Sequence, residues 1–403
     1  MRRVAITGMG IVCSIGNSLE EVTRALKRGC SGVEFVPERK EMGFRSGLVG
    51  TLKDFTTPKL PKKYLRQMGQ GSYLAVHAAQ QAVADAGWQQ SELKNERTGI
   101  VIGNSGNMFD IFEQCSAFYH RTKKLGGTAL QRVLASSVSA NLSVMLGTQG
   151  HCMTVSTACA SGSSAIGHAY QSIKFGLQDR MICGGVQENT WAYDCNFDAL
   201  RNFSQREDEP TKASRPFDRH RDGLVPSRGC GIVALEEYEQ AIDRGARIHA
   251  ELIGYATSSD GFDMTTPSGV GYVRSVELAL QDAAISVHDI DYINAHATST
   301  IVGDATEAQA IAKVFGKGPS VSSTKSMTGH ESAAAGSNEL IYTVLMVENG
   351  FIAPSINIEE IDEACQGIEI VANEAADRQI RIAVSTSAGF GGVNTCLIVK
   401  KPS

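Results

Sequence analysis

The run VSTACASGSS (residues 155–164) closes an apolar segment and sets Cys159 between Ala158 and Ala160, with small residues leading into a helical pattern over 165–175. A cysteine at a strand-to-helix turn lies beside a helix N-terminus, whose dipole and free N–H groups favour thiolate. Small neighbours permit a tight turn that presents the sulfur. The same residues suit a small cysteine packed in a helix contact, and the run alone does not separate the two readings. Two more segments carry reactive side chains. DYINAHATST (291–300) puts His296 just past an apolar run, and VSSTKSMTGHESAAAG (321–336) puts Lys325 and His330 in a similar place. In STSAGFGGVN (385–394), glycines on both sides of Phe390 allow a mobile aromatic and exposed backbone N–H groups suited to an oxyanion. No P-loop lysine follows, so a phosphate cradle has little support.

A cysteine with two histidines admits three chemistries. One is a cysteine protease or amidase with one histidine as base. A second is a thioester-handling enzyme, in which the thiolate takes an acyl group while the histidines hydrogen-bond a carbonyl that becomes an enolate. Metal binding is the weakest, because no ligand pair has short helical spacing and no C-x-x-C occurs among the ten cysteines.

The elements that must position these residues alternate between short apolar runs and helical patterns. Val4–Gly8 and Thr98–Gly103 read as buried strands, and 19–29 and 72–87 as helices ending on glycine. This favours an α/β protein with a mostly parallel, covered sheet. The order of elements then repeats: residues 83–105 correspond to 280–300, 155–176 to 321–350, and 179–188 to 381–392. Two halves follow, 1–245 with Cys159 and 246–403 with the histidines and the Phe390 loop, joined near a predicted surface helix over Glu236–Arg247. Because ligands bind beyond the carboxyl ends of such strands, Cys159, His296 and His330 are expected to meet in one pocket. Residues 39–74, 107–142 and 194–228 lack counterparts and read as insertions that build lids, interfaces or channels.

Composition sets outer limits. The chain has 403 residues, 42% hydrophobic and 20% charged, which excludes a disordered or collagen-like chain. A net charge of −5 argues against a general nucleic-acid binder. No apolar run is long enough to span a membrane, and the opening MRRVAITGMGIV reads as a first strand, not a signal peptide. Scattered cysteines fit a reducing cytoplasm.

Taken together, these motifs resemble the β-ketoacyl-acyl-carrier-protein synthases, the elongating condensing enzymes, and type I most of all. The resemblance spans the whole chain, from VAITGMGIVCSIGN through FDRHRDGLV to GFIAPSINIEE and GFGGVN. It implies a thiolase-like five-layer α-β-α-β-α sandwich of two duplicated halves, and a homodimer, with a heterodimer of related subunits as the variant. It implies Cys159 as the acyl-accepting nucleophile, with His296 and His330 as the pair that promotes decarboxylation and stabilises the enolate. Lys325 and Glu339 would support the site, and Thr298 and Thr300 would bind the pantetheine arm. Phe390 would act as gate, its N–H completing an oxyanion hole with that of Cys159. The resemblance implies no metal or cofactor of the enzyme's own, because phosphopantetheine arrives on the acidic acyl carrier protein. Lys62, Lys63 and Arg66, with Arg121, Lys123 and Lys124, are the expected carrier docking residues.

Ala297, Glu331 and Ala388 depart from the usual pattern close to the site motifs. They raise a specialised polyene or polyketide-type ketosynthase as an alternative to fatty acid elongation. A non-catalytic chain-length-factor subunit is the alternative of another class; such subunits lack the nucleophile, and Cys159 speaks against that reading.

Overall fold

The computed structural model describes residues 1–188 and 190–402. Its main sheet has eleven strands: β1 (Val4–Cys13), β2 (Thr98–Asn104), β3 (Cys152–Val155), β4 (Arg180–Gln187), β5 (Gly229–Glu237), β6 (Ala250–Ser259), β7 (Tyr292–Asn294), β8 (Ser320–Ser322), β9 (Glu369–Ile370), β10 (Ile382–Gly389) and β11 (Val393–Lys400). The spatial order is β9-β8-β7-β10-β11-β6-β1-β5-β4-β2-β3. The order β1-β5-β4-β2-β3 in the first part is repeated as β6-β11-β10-β7-β8 in the second. In each, two antiparallel pairings are followed by two parallel ones. The two halves of this sheet join, among the described residues, where Val4–Ile6 of β1 meets Ala250–Leu252 of β6. Strand β9 is an added edge without a counterpart.

Strands β1, β2 and β5 are buried along their whole length, as continuous apolar runs covered on both faces must be. Helix α1 (Leu19–Arg28) starts at Ser18, whose side chain accepts the Glu21 N–H, and stops at left-handed Gly29. Helix α2 (Gln70–Ala86) lays an alanine face on β1. A Cβ at Gly8 or Gly10 would come within 2.2 or 2.0 Å of a helix carbonyl, so glycine sets this close approach. Helix α3 (Met108–Tyr119) lies in the second insertion, and α4 (Ser137–Leu146) begins in it and runs past its end. Helix α5 (Ser161–Lys174), α6 (Asp194–Ala199), α7 (Val270–Ala283), α8 (Ile301–Phe315) and α9 (Ala335–Asn349) complete the set used below. Helices α5 and α9 pack together between the two sheets. Every residue of α9 from Ala335 to Val347 is buried, the mark of a helix covered all round. Helix α2 covers the outer face of the first sheet and α7 that of the second, which gives five layers.

Two expectations about the elements fail. The sheet is not mostly parallel: five of its ten strand pairings are antiparallel, because β5 and β11 each run antiparallel to both neighbours. Glu236 and Glu237 end strand β5, and only Tyr238–Asp243 is helical. Glu236 is fully buried, with Arg180 at 2.9 Å, Arg244 at 2.6 Å and the Trp88 indole N–H at 3.2 Å. Distant Arg180 and nearby Arg244 together neutralise a carboxylate that local composition marks as surface.

Candidate active site

Cys159 stands in the turn between β3 and α5. Ala158 adopts φ +50°, Ser161 Oγ accepts the Thr157 N–H at 2.9 Å, and the same hydroxyl donates to the Ala158 carbonyl at 2.6 Å. The turn is thereby closed upon itself, and the thiol is 5% exposed. Burial pushes the Cys159 thiol up to about 12, against the opposing charge of Lys325 and the cysteine's own N–H. Burial thus opposes the thiolate that a helix N-terminus favours.

Its partner is His330, whose Nε2 lies 3.0 Å from Sγ. Burial, then Lys325, pushes this imidazole down to about 3, so it is neutral and stands within hydrogen-bond distance of the thiol. The loop that carries it is pinned by His330 N–H to the Val225 carbonyl at 2.7 Å and Ser227 N–H to the His330 carbonyl at 2.9 Å. His296 stands edge-on to His330, with ring centroids 5.3 Å apart. Burial, Lys325 and His330 hold it well below its ordinary value. Nδ1 of each histidine finds no protein partner among the described residues. No fixed bond at Nδ1 locks either tautomer, and Nε2 is free to accept from the thiol or donate to a substrate oxygen.

Lys325 forms a buried ion pair with Glu339, and burial pushes that carboxyl up to about 7 despite the ammonium. Thr298 and Thr300 place their hydroxyl oxygens 3.1 Å apart. A cavity of about 500 Å³ is lined by Cys159, His296, His330, Thr298, Thr300 and Phe390. Phe390 sits on the β10–β11 hairpin with its ring stacked on Phe197 of α6 at 5.5 Å. The hairpin presses on the Cys159 turn: a Cβ at Gly389 would come within 2.4 Å of the Thr157 carbonyl. Among the described residues no protein acceptor takes the Phe390 N–H. The residues named from the three loops thus converge.

The six basic residues are all exposed, Lys62, Lys63 and Arg66 on one segment and Arg121, Lys123 and Lys124 on the other. Thr128 Oγ1 donates to the Arg66 carbonyl at 2.8 Å and ties the two segments together. None of the six lines the Cys159 cavity. Of the three departures, Ala388 and Ala297 both line the cavity, and Ala297 places its N–H on Glu307 at 2.7 Å. Glu331 is buried, accepts from Asn338 at 2.8 Å and Tyr342 at 3.2 Å, and is pushed up to about 8 by burial.

Glu307 is a site residue that the motifs did not reveal. Its carboxylate accepts the His296 N–H at 2.8 Å, the Ala297 N–H at 2.7 Å and the Thr386 hydroxyl at 3.1 Å. It fixes the His296 loop from beneath, and burial pushes it up to about 7. The available signal was that Asp304 and Glu307 share the buried stripe of α8 with Ala308 and Ile311.

Family models match both parts of the chain, "Beta-ketoacyl synthase, N-terminal domain" over residues 1–241 and "Beta-ketoacyl synthase, C-terminal domain" over 249–359. The chain is 45% identical to 3-oxoacyl-[acyl-carrier-protein] synthase 1 of Haemophilus influenzae, covering 100% of the chain and 99% of that protein. It is 44% identical to the Escherichia coli K12 protein of the same name, with the same coverage. The crystal structure of a β-ketoacyl synthase from Burkholderia phymatum superposes with a TM-score of 0.96 at 37% identity, covering 100% of both chains. A type II PKS ketosynthase in complex with its acyl-carrier protein superposes at 0.91 with 30% identity, again over 100% of both. Duplicated sheet, converging loops and full-length similarity lead to one conclusion: the chain belongs to the β-ketoacyl synthase family and has its thiolase-like fold.

Proposed function

We propose that the protein is a 3-oxoacyl-[acyl-carrier-protein] synthase that extends acyl chains in fatty acid synthesis by decarboxylative condensation. The observation that carries this is the Cys159 Sγ to His330 Nε2 approach of 3.0 Å in a cavity that His296 also lines. In the first half-reaction Sγ attacks the carbonyl carbon of an acyl thioester on the carrier arm. His330 Nε2 takes the thiol proton and returns it to the departing arm thiol. The N–H groups of Cys159 and Phe390 face the oxyanion, an arrangement worth about 10²–10³ in rate per donor. In the second half-reaction malonyl thioester loses CO₂, and the C–C bonding pair becomes an enolate whose oxygen accepts from neutral His296 and His330. The enolate carbon attacks the acyl carbonyl, and the Cys159 sulfur leaves as a thiolate that takes one proton from solvent to restore the thiol. Electrons balance without a metal or organic cofactor of the enzyme's own. Lys325 and Glu339 hold the charge of the site, and Thr298 and Thr300 bind the pantetheine arm.

The carrier protein is the partner, docked through Lys62, Lys63, Arg66, Arg121, Lys123 and Lys124. A second copy covers the edge strand β3, which pairs on one side only among the described residues and bears exposed Met153, with exposed Val144 on the adjoining α4. The division into residues 1–245 and 246–403 rests on the repeated strand order. A cytoplasmic setting agrees with ten free cysteines, and no helix among the described residues is long and apolar enough to cross a membrane. Identity to ketosynthases of polyketide type is lower, 33% and 30%, and Cys159 is not the mark of a binding-only subunit. The test is incubation of the purified protein with acyl- and malonyl-carrier protein. Formation of 3-oxoacyl-carrier protein supports the reading, and its absence with an acylated control enzyme active in parallel refutes it.

A further inference from the structure

The segment RPFDRHRDG (215–223) lies under the loop that carries Thr298 and Thr300, and no step above uses it. Arg221 is 3% exposed. Its Nε donates to the Thr300 carbonyl at 3.0 Å and its Nη2 to the Ile301 carbonyl at 2.7 Å. Its Nη1 donates to the Asp218 carbonyl at 2.8 Å and to Asp362 at 2.6 Å. Buried Asp304, 3.7 Å from Nε, accepts the Thr300 N–H at 3.2 Å and the Phe217 N–H at 3.0 Å. Between the threonines, Ser299 is held at φ +71°, where a residue with a side chain persists only if its surroundings enforce it. The same segment supplies that enforcement: Arg215 N–H donates to Ser299 Oγ at 3.0 Å, and Gly223 N–H to its carbonyl at 3.2 Å.

We propose that Arg221 is a positioning residue for the substrate arm, holding the Thr298–Ile301 loop so that both threonine hydroxyls line the cavity. The inference rests on the reading of Thr298 and Thr300 as arm-binding residues. A planar guanidinium spans two successive carbonyls and two further acceptors at once, which a lysine ammonium does not reproduce.

The test compares steady-state kinetics of Arg221→Lys and Arg221→Gln with acyl-carrier protein as varied substrate, beside Thr298→Val as reference. Iodoacetamide alkylation of Cys159 in each variant reports on the nucleophile without the arm. KM is expected to rise about tenfold in both Arg221 variants, with kcat changed less than about threefold and alkylation unchanged. Raised KM in Thr298→Val with unchanged KM in both Arg221 variants overturns the inference alone. Unchanged KM in all three overturns it together with the arm-binding reading. Loss of kcat and of alkylation in both Arg221 variants also overturns it, in favour of an ion cluster that serves folding alone.

Discussion

At the scale of single residues, burial decides the chemistry. It keeps Cys159 a thiol, with its proton released at about 12, and keeps His330 neutral down to about 3. In the proposed mechanism, attack on a thioester is coupled to transfer of the proton across the 3.0 Å contact. Cys159→Ala is expected to remove condensation entirely, measured by product formation, while Cys159→Gln retains malonyl decarboxylation. His330→Ala is expected to lose decarboxylation, and undiminished CO₂ release would refute its role. Cys159, His296, Lys325 and His330 were legible because each follows an apolar run in a loop of small residues. Glu307 and Arg221 were not. Their partners are backbone groups of loops folded onto them, and in a linear sequence they read as ordinary charges on a helix and in a polar segment.

At the scale of elements, the sequence repeat anticipated the pairs β2 and β7, β3 and β8, and β4 and β10, because each strand is followed by a similar small-residue turn. The end of β5 was misread, since Arg180 and Trp88, which help bury Glu236, lie far away in the chain, and Arg244, though near, reaches back to it only once the segment folds. The β10–β11 hairpin places the Phe390 N–H only because Gly389 lies against the Thr157 carbonyl. Gly389→Ala must shift that hairpin, and kcat is expected to fall about 10²–10³, the effect of losing one oxyanion donor, while Cys159 alkylation persists. Glu331, at the start of the segment leading into α9, provides a pH test. Its folded value is raised from 4.5 to about 8, so the stability linked to its proton is complete below 4.5 and is lost as pH rises through about 8. Glu331→Gln keeps an acceptor for Asn338 without the titration. Thermal melts are expected to show it more stable than the parent at pH 8, by at least about 2–4 °C, with the gap closing toward pH 4.5.

At the scale of the whole molecule, a duplicated α/β unit brings Cys159 from one half and His296 and His330 from the other to a shared cavity. That convergence was legible from the order of elements. The joining of the sheets through three residues of β1 and the extra edge strand β9 was not, because short edge pairings leave no periodic signal. The basic segments near Arg66 and Lys123 lie side by side on the surface, away from the cavity lining. Reversing charge in Lys62→Glu, Lys63→Glu and Arg66→Glu together is expected to raise KM for carrier-bound substrate about tenfold or more at low salt. The effect should shrink as salt rises, with little change for small thioesters. Equal effects on both substrate types would remove docking as the explanation.

The most direct test of the central claim is mass spectrometry of the enzyme and its products in one reaction. Acyl-carrier protein alone should add one acyl group to the peptide containing Cys159. Subsequent malonyl-carrier protein should discharge that group as 3-oxoacyl-carrier protein with release of CO₂. Acylation at another residue, or an acylated Cys159 that malonyl-carrier protein fails to discharge into a condensed product, would contradict it.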